Sequence, residues 1–130
     1  MPNSHVIPVL SYPDVGDAVD WLCKAFSFTL RWKVGNHRAQ LNAGDGCIAV
    51  TQGSKGDMDR DFSIMVRVED ADAHHGQAAA MGARVLQAPG DYPYGERQYT
   101  VEDIGGYSWT FSTSIADVAP QDWGAEIGQL

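Results

Sequence analysis

The stretch YPDVGDAVDWLCKAF, residues 12–26, decides the fold together with a second version of itself further along the chain. Its apolar side chains recur at helical spacing and form one stripe: Val15, Ala18, Val19, Leu22, Cys23 and Phe26. Asp14 precedes this stripe and is a suitable N-cap. Strand-like runs surround the helix: VIPVLS (6–11), FTLRWKV (28–34), HRAQLN (37–42) and CIAVTQ (47–52). The first part of the chain therefore predicts the order strand, helix, strand, strand, strand.

The same order returns after a polar segment. FSIMVRV (62–68) alternates as a half-buried strand does, and Asp70 then opens a helix with one side formed by Ala71, His74, His75, Ala78 and Met81. Three further strand-like runs follow: ARVLQA (83–88), RQYTVED (97–103) and YSWTFS (107–112). Asp14 and Asp70 have the same capping role, 56 positions apart. The chain is therefore interpreted as an internal duplication.

This duplication predicts an α+β fold of two tandem βαβββ modules within a single domain, residues 1–130. The modules are expected at 5–52 and 62–114, with a linker at 53–61 and a C-terminal tail at 115–130. Each helix would cover the outer face of a mixed, curled sheet, and the uncovered faces would enclose a cleft. Concave spaces of this kind are where small molecules bind.

Composition restricts the classes of partner. The chain has 130 residues, of which 44% are hydrophobic and 20% charged, as in globular domains. Its formal net charge of -8 disfavours nucleic acid and suits a cationic ligand. No apolar run approaches the length of a membrane span and no signal sequence is recognisable, so a cytoplasmic protein without a membrane partner is expected. Cys23 and Cys47 are expected to be buried thiols.

The sequence also resembles a known superfamily. GERQYTVEDIGGYSWTF (95–111) and VEDADAHHGQAAAMGARVL (68–86), together with the duplication, resemble the vicinal oxygen chelate superfamily. That superfamily includes glyoxalases, extradiol dioxygenases, fosfomycin-modifying enzymes and bleomycin resistance proteins. The resemblance covers nearly the whole chain, although Tyr107 stands where many relatives have His or Asn. It implies a ligand cleft and a homodimer.

Most enzymes of the superfamily hold a divalent metal with His and Glu side chains, and the matching positions can be compared one by one. The His positions fall at Ile7 and Ser63, and the Glu positions fall near Val50 and at Thr110. None of these is a strong ligand for a first-row metal. The resemblance therefore implies a branch without a metal or other cofactor. His5 lies two residues from Ile7, on the same strand face, so a register shift of two would restore one ligand.

Without a metal, ligand affinity would come from shape and aromatic contacts. Strand alternation and the aromatic residues of the loop 89–96 predict the ligand-binding residues Trp32, Val50, Ser63, Met65, Arg67, Tyr92, Tyr94, Gln98 and Thr110. Two alternatives stay open: Trp32 packs in the core with Phe28, Leu30 and Val34, and Arg67 pairs with a wall acid such as Glu102. Trp109 is expected to face the helix.

The resemblance to the metal-free branch predicts a protein that binds a flat or cationic, antibiotic-like molecule and confers resistance by sequestration. The alternative is a glyoxalase-like lyase or isomerase, or a dioxygenase, with metal ligands not recognised in the sequence. A metal-free enzyme would need a general base, for which Glu96 and Glu102 are the candidates. A third interpretation is an interaction module whose tail, with Trp123 and Ile127, docks on a partner.

Overall fold

The computed structural model describes residues 6–53 and 63–117, and it contains the predicted order of elements twice. The first module has β1 (Val9–Tyr12), α1 (Val15–Phe26), β2 (Thr29–Val34), β3 (Arg38–Ala43) and β4 (Gly46–Gln52). The second has β5 (Ser63–Arg67), α2 (Ala71–Ala80), β6 (Arg84–Tyr92), β7 (Glu96–Glu102) and β8 (Ser108–Ser114). Most of the expected linker and tail, with His5, Trp123 and Ile127, lies outside the described residues.

Each module forms a mixed four-stranded sheet with its helix on one face. The strand orders are β1-β4-β3-β2 and β5-β8-β7-β6, so the two sheets have the same topology. In both, the first strand runs parallel to the last and the remaining pairs are antiparallel. The predicted α+β fold of two βαβββ modules is confirmed. Neither helix of the described ranges is long and apolar enough to cross a membrane.

The two helices begin as predicted but bury different amounts of surface. The side chain of Asp14 accepts a hydrogen bond from the Asp17 N–H at 2.9 Å, and Asp70 does the same for Ala73 at 3.1 Å. Six residues of α1 are buried, whereas α2 buries only Ala71 and Ala78. The predicted apolar side of α2 is therefore only partly correct, since Met81 follows the helix and is exposed.

One hydrophobic core joins the two modules. Phe26 at the end of α1 and Phe28 after it reach across to β8, where their rings pack on Trp109 with centroid distances of 5.6 and 5.3 Å. The ring of Phe111 lies 4.9 Å from that of Phe26. Trp109 is fully buried, so the prediction that it faces the helix side is confirmed.

The two modules also contact each other through residues in or beside their turns. The Tyr12 hydroxyl, at the end of β1, donates to the Asp103 carboxylate after β7 at 2.6 Å. The Tyr107 hydroxyl accepts from the Ser11 N–H at 3.1 Å and donates to the Ser11 carbonyl oxygen at 3.2 Å. In the opposite direction, Gly44 in the β3–β4 turn lies against the Arg67 backbone of β5. Each module therefore packs one turn against the first strand of the other.

Pairing in the first sheet fixes which residues face α1. Val50 pairs with Leu10 and Ala39, all three are buried, and all three belong to the core beneath α1. The expectation that Val50 faces the cleft is therefore wrong, because its side chain points towards the helix. On β4 it is Ala49, paired with Val9, that faces away from the helix.

Candidate functional site

The face of the second sheet that carries no helix is mostly polar. We call it the second helix-free face, and it includes Ser63, Met65, Arg67, Glu96, Gln98, Thr100, Glu102, Thr110 and Ser112. Its identity follows from the pairing, because Trp109 and Phe111, which alternate with Thr110 on β8, are buried against the helices. Five of the predicted ligand-binding residues, Ser63, Met65, Arg67, Gln98 and Thr110, lie on this face.

A chain of polar contacts runs along this face. Arg67 lies 3.1 Å from the Glu96 carboxylate, which also accepts a hydrogen bond from Ser112 at 2.8 Å. The Gln98 side-chain amide donates to Ser112 at 3.2 Å and accepts from the Tyr94 hydroxyl at 3.2 Å. Arg67 therefore pairs with a wall acid, as one alternative predicted, and that acid is Glu96.

Three hydroxyl groups meet beside this chain. Thr110 Oγ1 lies 3.1 Å from Ser63 Oγ and 3.1 Å from Thr100 Oγ1. Ser63 and Thr110 are the residues of the second module at the positions where the superfamily pattern has metal ligands. In the first module the corresponding residues are Ile7 and Ala49, neither of which has a polar side-chain atom. A divalent first-row metal prefers imidazole, thiolate or carboxylate, so this set does not fit such an ion. Among the described residues, no three His, Cys, Asp or Glu side chains are grouped to hold one.

The aromatic residues of the loop between β6 and β7 lie next to the polar chain. The Tyr92 and Tyr94 rings stack with centroids 5.5 Å apart, and the Tyr92 hydroxyl accepts from the Gln87 amide at 2.6 Å. Both rings are partly exposed. Tyr99, a third aromatic residue of this region, is buried in the core instead. The structure thus places Tyr92 and Tyr94 where a ligand on the second helix-free face would be within reach.

Trp32 lies on the corresponding face of the first sheet, the first helix-free face. An irregularity between Leu30 and Trp32 shifts the pairing of β2 with β3, so that Trp32 pairs with Gln40, and Gln40 with Ala49. Trp32 is 38% exposed and is not part of the core cluster. The core interpretation of Trp32 is therefore wrong, because β2 is an edge strand of its sheet and is exposed along its whole length, including Leu30 and Val34.

A large cavity lies at the seam between the modules. It has a volume of about 1040 Å³ and is open to solvent. Phe26, Phe28 and Val66 give it apolar walls, whereas its polar lining includes Asp45, Arg67, Glu69, Asp70, His74 and Gln77. Met65 and Arg67 belong both to this seam cavity and to the second helix-free face. No sequence signal indicated the cavity, because it depends on how the modules are packed together.

His74 is held at the wall of the seam cavity by hydrogen bonds to both ring nitrogens. Nε2 lies 2.9 Å from the Phe26 carbonyl oxygen, and Nδ1 contacts the Tyr99 hydroxyl. The carbonyl can only accept, so Nε2 carries the proton and Nδ1 accepts from Tyr99. Burial lowers the pKa of His74, although the bond to Phe26 opposes this shift. The predicted packing of the His74 flank on the sheet is confirmed by its ring contact with Phe111.

The chain matches the model of the Glyoxalase/Bleomycin resistance protein/Dioxygenase superfamily over residues 4–111. It belongs to this superfamily. The match includes both modules, except for the end of β8. The glyoxalase/bleomycin resistance assignment agrees with the observed vicinal oxygen chelate fold and with the resemblance seen in the sequence.

Solved structures share this fold. TioX from Micromonospora sp. ML1 is 31% identical, with a TM-score of 0.71 over 89% of this chain and 100% of TioX. The fosfomycin resistance protein FosX from Mesorhizobium loti is 17% identical, with a TM-score of 0.67 over 87% and 93%. A family enzyme from Burkholderia phytofirmans PsJN is 16% identical, with a TM-score of 0.72 over 82% and 94%. None of the curated proteins matches the chain.

Proposed function

We propose that the protein binds a flat, cationic small molecule without the help of a metal, at the second helix-free face and the adjoining seam cavity. The observation that carries this proposal is the cavity of about 1040 Å³, which is continuous with the predicted ligand residues Met65 and Arg67. Its volume lies at the upper end of the range of about 300–1,000 Å³ for small-molecule pockets.

The chemistry of the cavity favours a planar cation. Phe26 and Phe28 supply aromatic surface on which a flat ring system can pack. Three carboxylates line the cavity, those of Asp45, Glu69 and Asp70, against the single guanidinium of Arg67, which is already paired with Glu96. The net charge of -8 adds long-range attraction for cations.

Binding of this kind would confer resistance by sequestration in the cytoplasm, because a bound antibiotic no longer reaches its target. Membership of a superfamily that contains bleomycin resistance proteins supports this role. The donor set at the family's metal positions supports binding without a metal. Protein purified without chelator is therefore expected to contain no stoichiometric zinc, nickel, iron or manganese, and elemental analysis checks this.

We also propose that the protein acts as a homodimer. The first helix-free face exposes apolar side chains on its two edge strands that a second copy would cover: Val9 (55% exposed) and Val34 (60%). Apolar side chains exposed together on one face of a sheet are a surface on which a second copy can pack. Sedimentation velocity measures the oligomeric state, and a monomer at all concentrations would contradict this proposal.

The ligand class can be tested with proflavine, a flat cationic dye, and with acridine, a ring system of similar shape that is largely uncharged at pH 8. Isothermal titration should show tighter binding of proflavine. Asp45→Asn and Glu69→Gln should each weaken proflavine about two- to threefold, as expected for partly exposed charges. Asp20→Asn, an exposed acid on α1, is the matched control. Equal affinity for the two dyes in all variants would contradict the cationic preference.

An enzymatic function is a second candidate, favoured by the position of Glu102. This carboxylate lies on the second helix-free face in the row of Ser63, its side chain is 19% exposed, and it lies 3.9 Å from Arg84. It is therefore placed to exchange a proton with a bound ligand. Turnover of the hemithioacetal of methylglyoxal and glutathione, lost in Glu102→Gln while proflavine binding remains, would favour this candidate over sequestration.

A further inference from the structure

The end of α1 fixes the side chain of Gln77, on α2, at the wall of the seam cavity. Its Nε2 atom donates to the Lys24 carbonyl oxygen and to Ser27 Oγ, both at 2.8 Å. A backbone carbonyl can only accept, so the amide nitrogen faces α1, and these two bonds use both of its N–H groups. Gln77 is exposed and lines the cavity, so the group that it can offer to a ligand there is its Oε1 carbonyl oxygen.

Other polar groups of the cavity lining also accept hydrogen bonds. The carboxylates of Asp45, Glu69 and Asp70 belong to exposed residues, and an ionised carboxylate can only accept. One oxygen of Asp70 caps α2, which leaves its second oxygen for a ligand. The hydroxyls of Ser27 and Ser114 can donate or accept.

Donors are fewer along this wall. Among the described residues of the lining, Arg67 and His74 are the side chains besides Gln77 that carry N–H groups. His74 is engaged at both ring nitrogens, by the Phe26 carbonyl oxygen and the Tyr99 hydroxyl. The Arg67 guanidinium is paired with the Glu96 carboxylate. A ligand in the cavity therefore meets more acceptors than donors.

The acceptors lie at the two ends of one side of α2. Asp70, His74 and Gln77 follow one another at helical spacing, and all three line the cavity. At a rise of 1.5 Å per residue, Asp70 and Gln77 are about 10 Å apart along the helix axis. Ala73 lies between them and is exposed to the cavity. A flat ring system over Ala73 would thus have oxygen acceptors near both of its ends.

We propose that the seam cavity selects planar cations by the N–H groups at their two ends, one donating to Gln77 Oε1 and the other to the carboxylates of Glu69 and Asp70. The inference rests on the proposed function and names the kind of cation that the same site takes. A cation of the same shape with alkyl groups in place of these hydrogens covers the oxygen atoms without offering them a donor, which weakens its binding.

Proflavine and acridine orange test the inference on the wild type alone. Both are flat acridine cations at neutral pH, and acridine orange has methyl groups in place of all the amino hydrogens of proflavine. Isothermal titration should show about tenfold tighter binding of proflavine, which corresponds to about 1.4 kcal/mol. The methyl groups add apolar surface, so burial of that surface would by itself favour acridine orange.

Three variants separate ligand recognition from a structural role of the amide. Gln77→Leu should remove most of the selectivity by weakening proflavine, and it should leave the affinity for acridine orange unchanged. Gln77→Glu keeps an oxygen acceptor but cannot donate to the Lys24 carbonyl, so it should strengthen both dyes and retain the selectivity. Gln52→Leu, the same replacement at an exposed position of β4 outside the cavity lining, should behave as the wild type does.

The outcomes distinguish this inference from the proposed function. Equal affinity of the two dyes for the wild type, or tighter binding of acridine orange, would overturn the inference and leave the proposed function standing, because both dyes are flat cations. Binding of neither dye would overturn both. Selectivity that persists in Gln77→Leu would overturn the inference. An equal loss in Gln77→Leu and Gln77→Glu would also overturn it, because the amide would then act only by holding α1 against α2.

Discussion

Asp103 joins the two modules through a single buried carboxylate. It is 6% exposed and accepts hydrogen bonds from Tyr12 Oη at 2.6 Å and Trp109 Nε1 at 2.9 Å, as well as from the N–H groups of Gly105 and Tyr107, both at 2.9 Å. Burial raises the pKa of Asp103, although its four donors act in the opposite direction. The carboxylate therefore depends on all of these donors to compensate for its lost hydration.

Asp103→Ala is expected to destabilise the protein by about 3 kcal/mol or more, because it leaves several buried donors without an acceptor. Asp103→Asn is the matched variant: its oxygen can still serve the two backbone N–H groups, so its loss should be smaller. Urea unfolding at fixed protein concentration measures both. Equal, small losses in the two variants would show that the hydrogen bonds of Asp103 contribute little.

His74 should make stability depend on pH. Because burial lowers its folded pKa below the ordinary value of 6.5, the unfolded chain binds a proton more readily. The free energy of unfolding should therefore fall as pH decreases below about 6.5, until the folded imidazole also protonates. His74→Gln should flatten this part of the profile, and His37→Gln, on an exposed turn, should retain it. Urea midpoints between pH 5 and 8 check the prediction, and superimposable profiles for wild type and His74→Gln would refute it.

At the scale of single residues, the sequence predicts positions on the second sheet well and on the first sheet poorly. Ser63, Met65, Arg67, Gln98 and Thr110 lie on β5, β7 and β8. The pairings of β8 with β5 and with β7 are regular, so alternation from a known residue reaches the correct face. Val50 was assigned to the helix-free face, but adjacent residues of a strand point to opposite faces. It is Ala49, one position earlier, that lies on the helix-free face. The alternative that placed Trp32 in the core failed because β2 lies at the edge of its sheet and is exposed throughout, which the sequence of a single strand does not reveal.

At the scale of elements, the two helices show that capping and burial contribute independently. Both begin at a predicted Asp cap, but α1 buries six residues and α2 two. A helix with so little buried surface relies more on its ends. The caps were predictable because a capping carboxylate acts within a few residues, whereas the shallow packing of α2 depends on the distant residues of α1 and β8.

Asp70→Ala should therefore loosen the start of α2, with a loss of about 1 kcal/mol. Hydrogen exchange should accelerate most for the amide of Ala73, which bonds to the Asp70 side chain. Asp70→Asn keeps a capping oxygen and should change exchange little, which separates capping from the loss of a charge at the seam cavity. Unchanged exchange in Asp70→Ala would contradict this account.

At the scale of the whole molecule, the packing of the two modules depends on the close approach of the Gly105 backbone to the Tyr12 ring. A Cβ on Gly105, in the β7–β8 turn, would lie 2.7 Å from two ring atoms of Tyr12, which is 1% exposed and bonded to Asp103. Gly105→Ala should thus destabilise the protein by about 1–3 kcal/mol. Gly76→Ala, within α2 and with no atom within 4 Å of the new Cβ, should stabilise it by about 0.5–1 kcal/mol. Thermal unfolding of both variants checks the pair, and a tolerated Gly105→Ala would mean that the seam adjusts.

The duplication could be predicted from the sequence because it repeats a local pattern. The contacts between the two modules could not be predicted. Contacts such as those of His74 with Phe26 and Tyr99 link residues of different modules, and nothing in their local sequence indicates the partner. The seam cavity arises from the same packing.

The shared core has a consequence for synthesis of the chain. Phe26 and Phe28 emerge early from the ribosome, but the rings against which they pack, Trp109 and Phe111, are made more than 80 residues later. Until then the first module exposes aromatic surface that a chaperone can recognise. Despite its duplicated architecture, the protein is expected to fold only after nearly all of it has been translated, so it would not fold module by module during elongation.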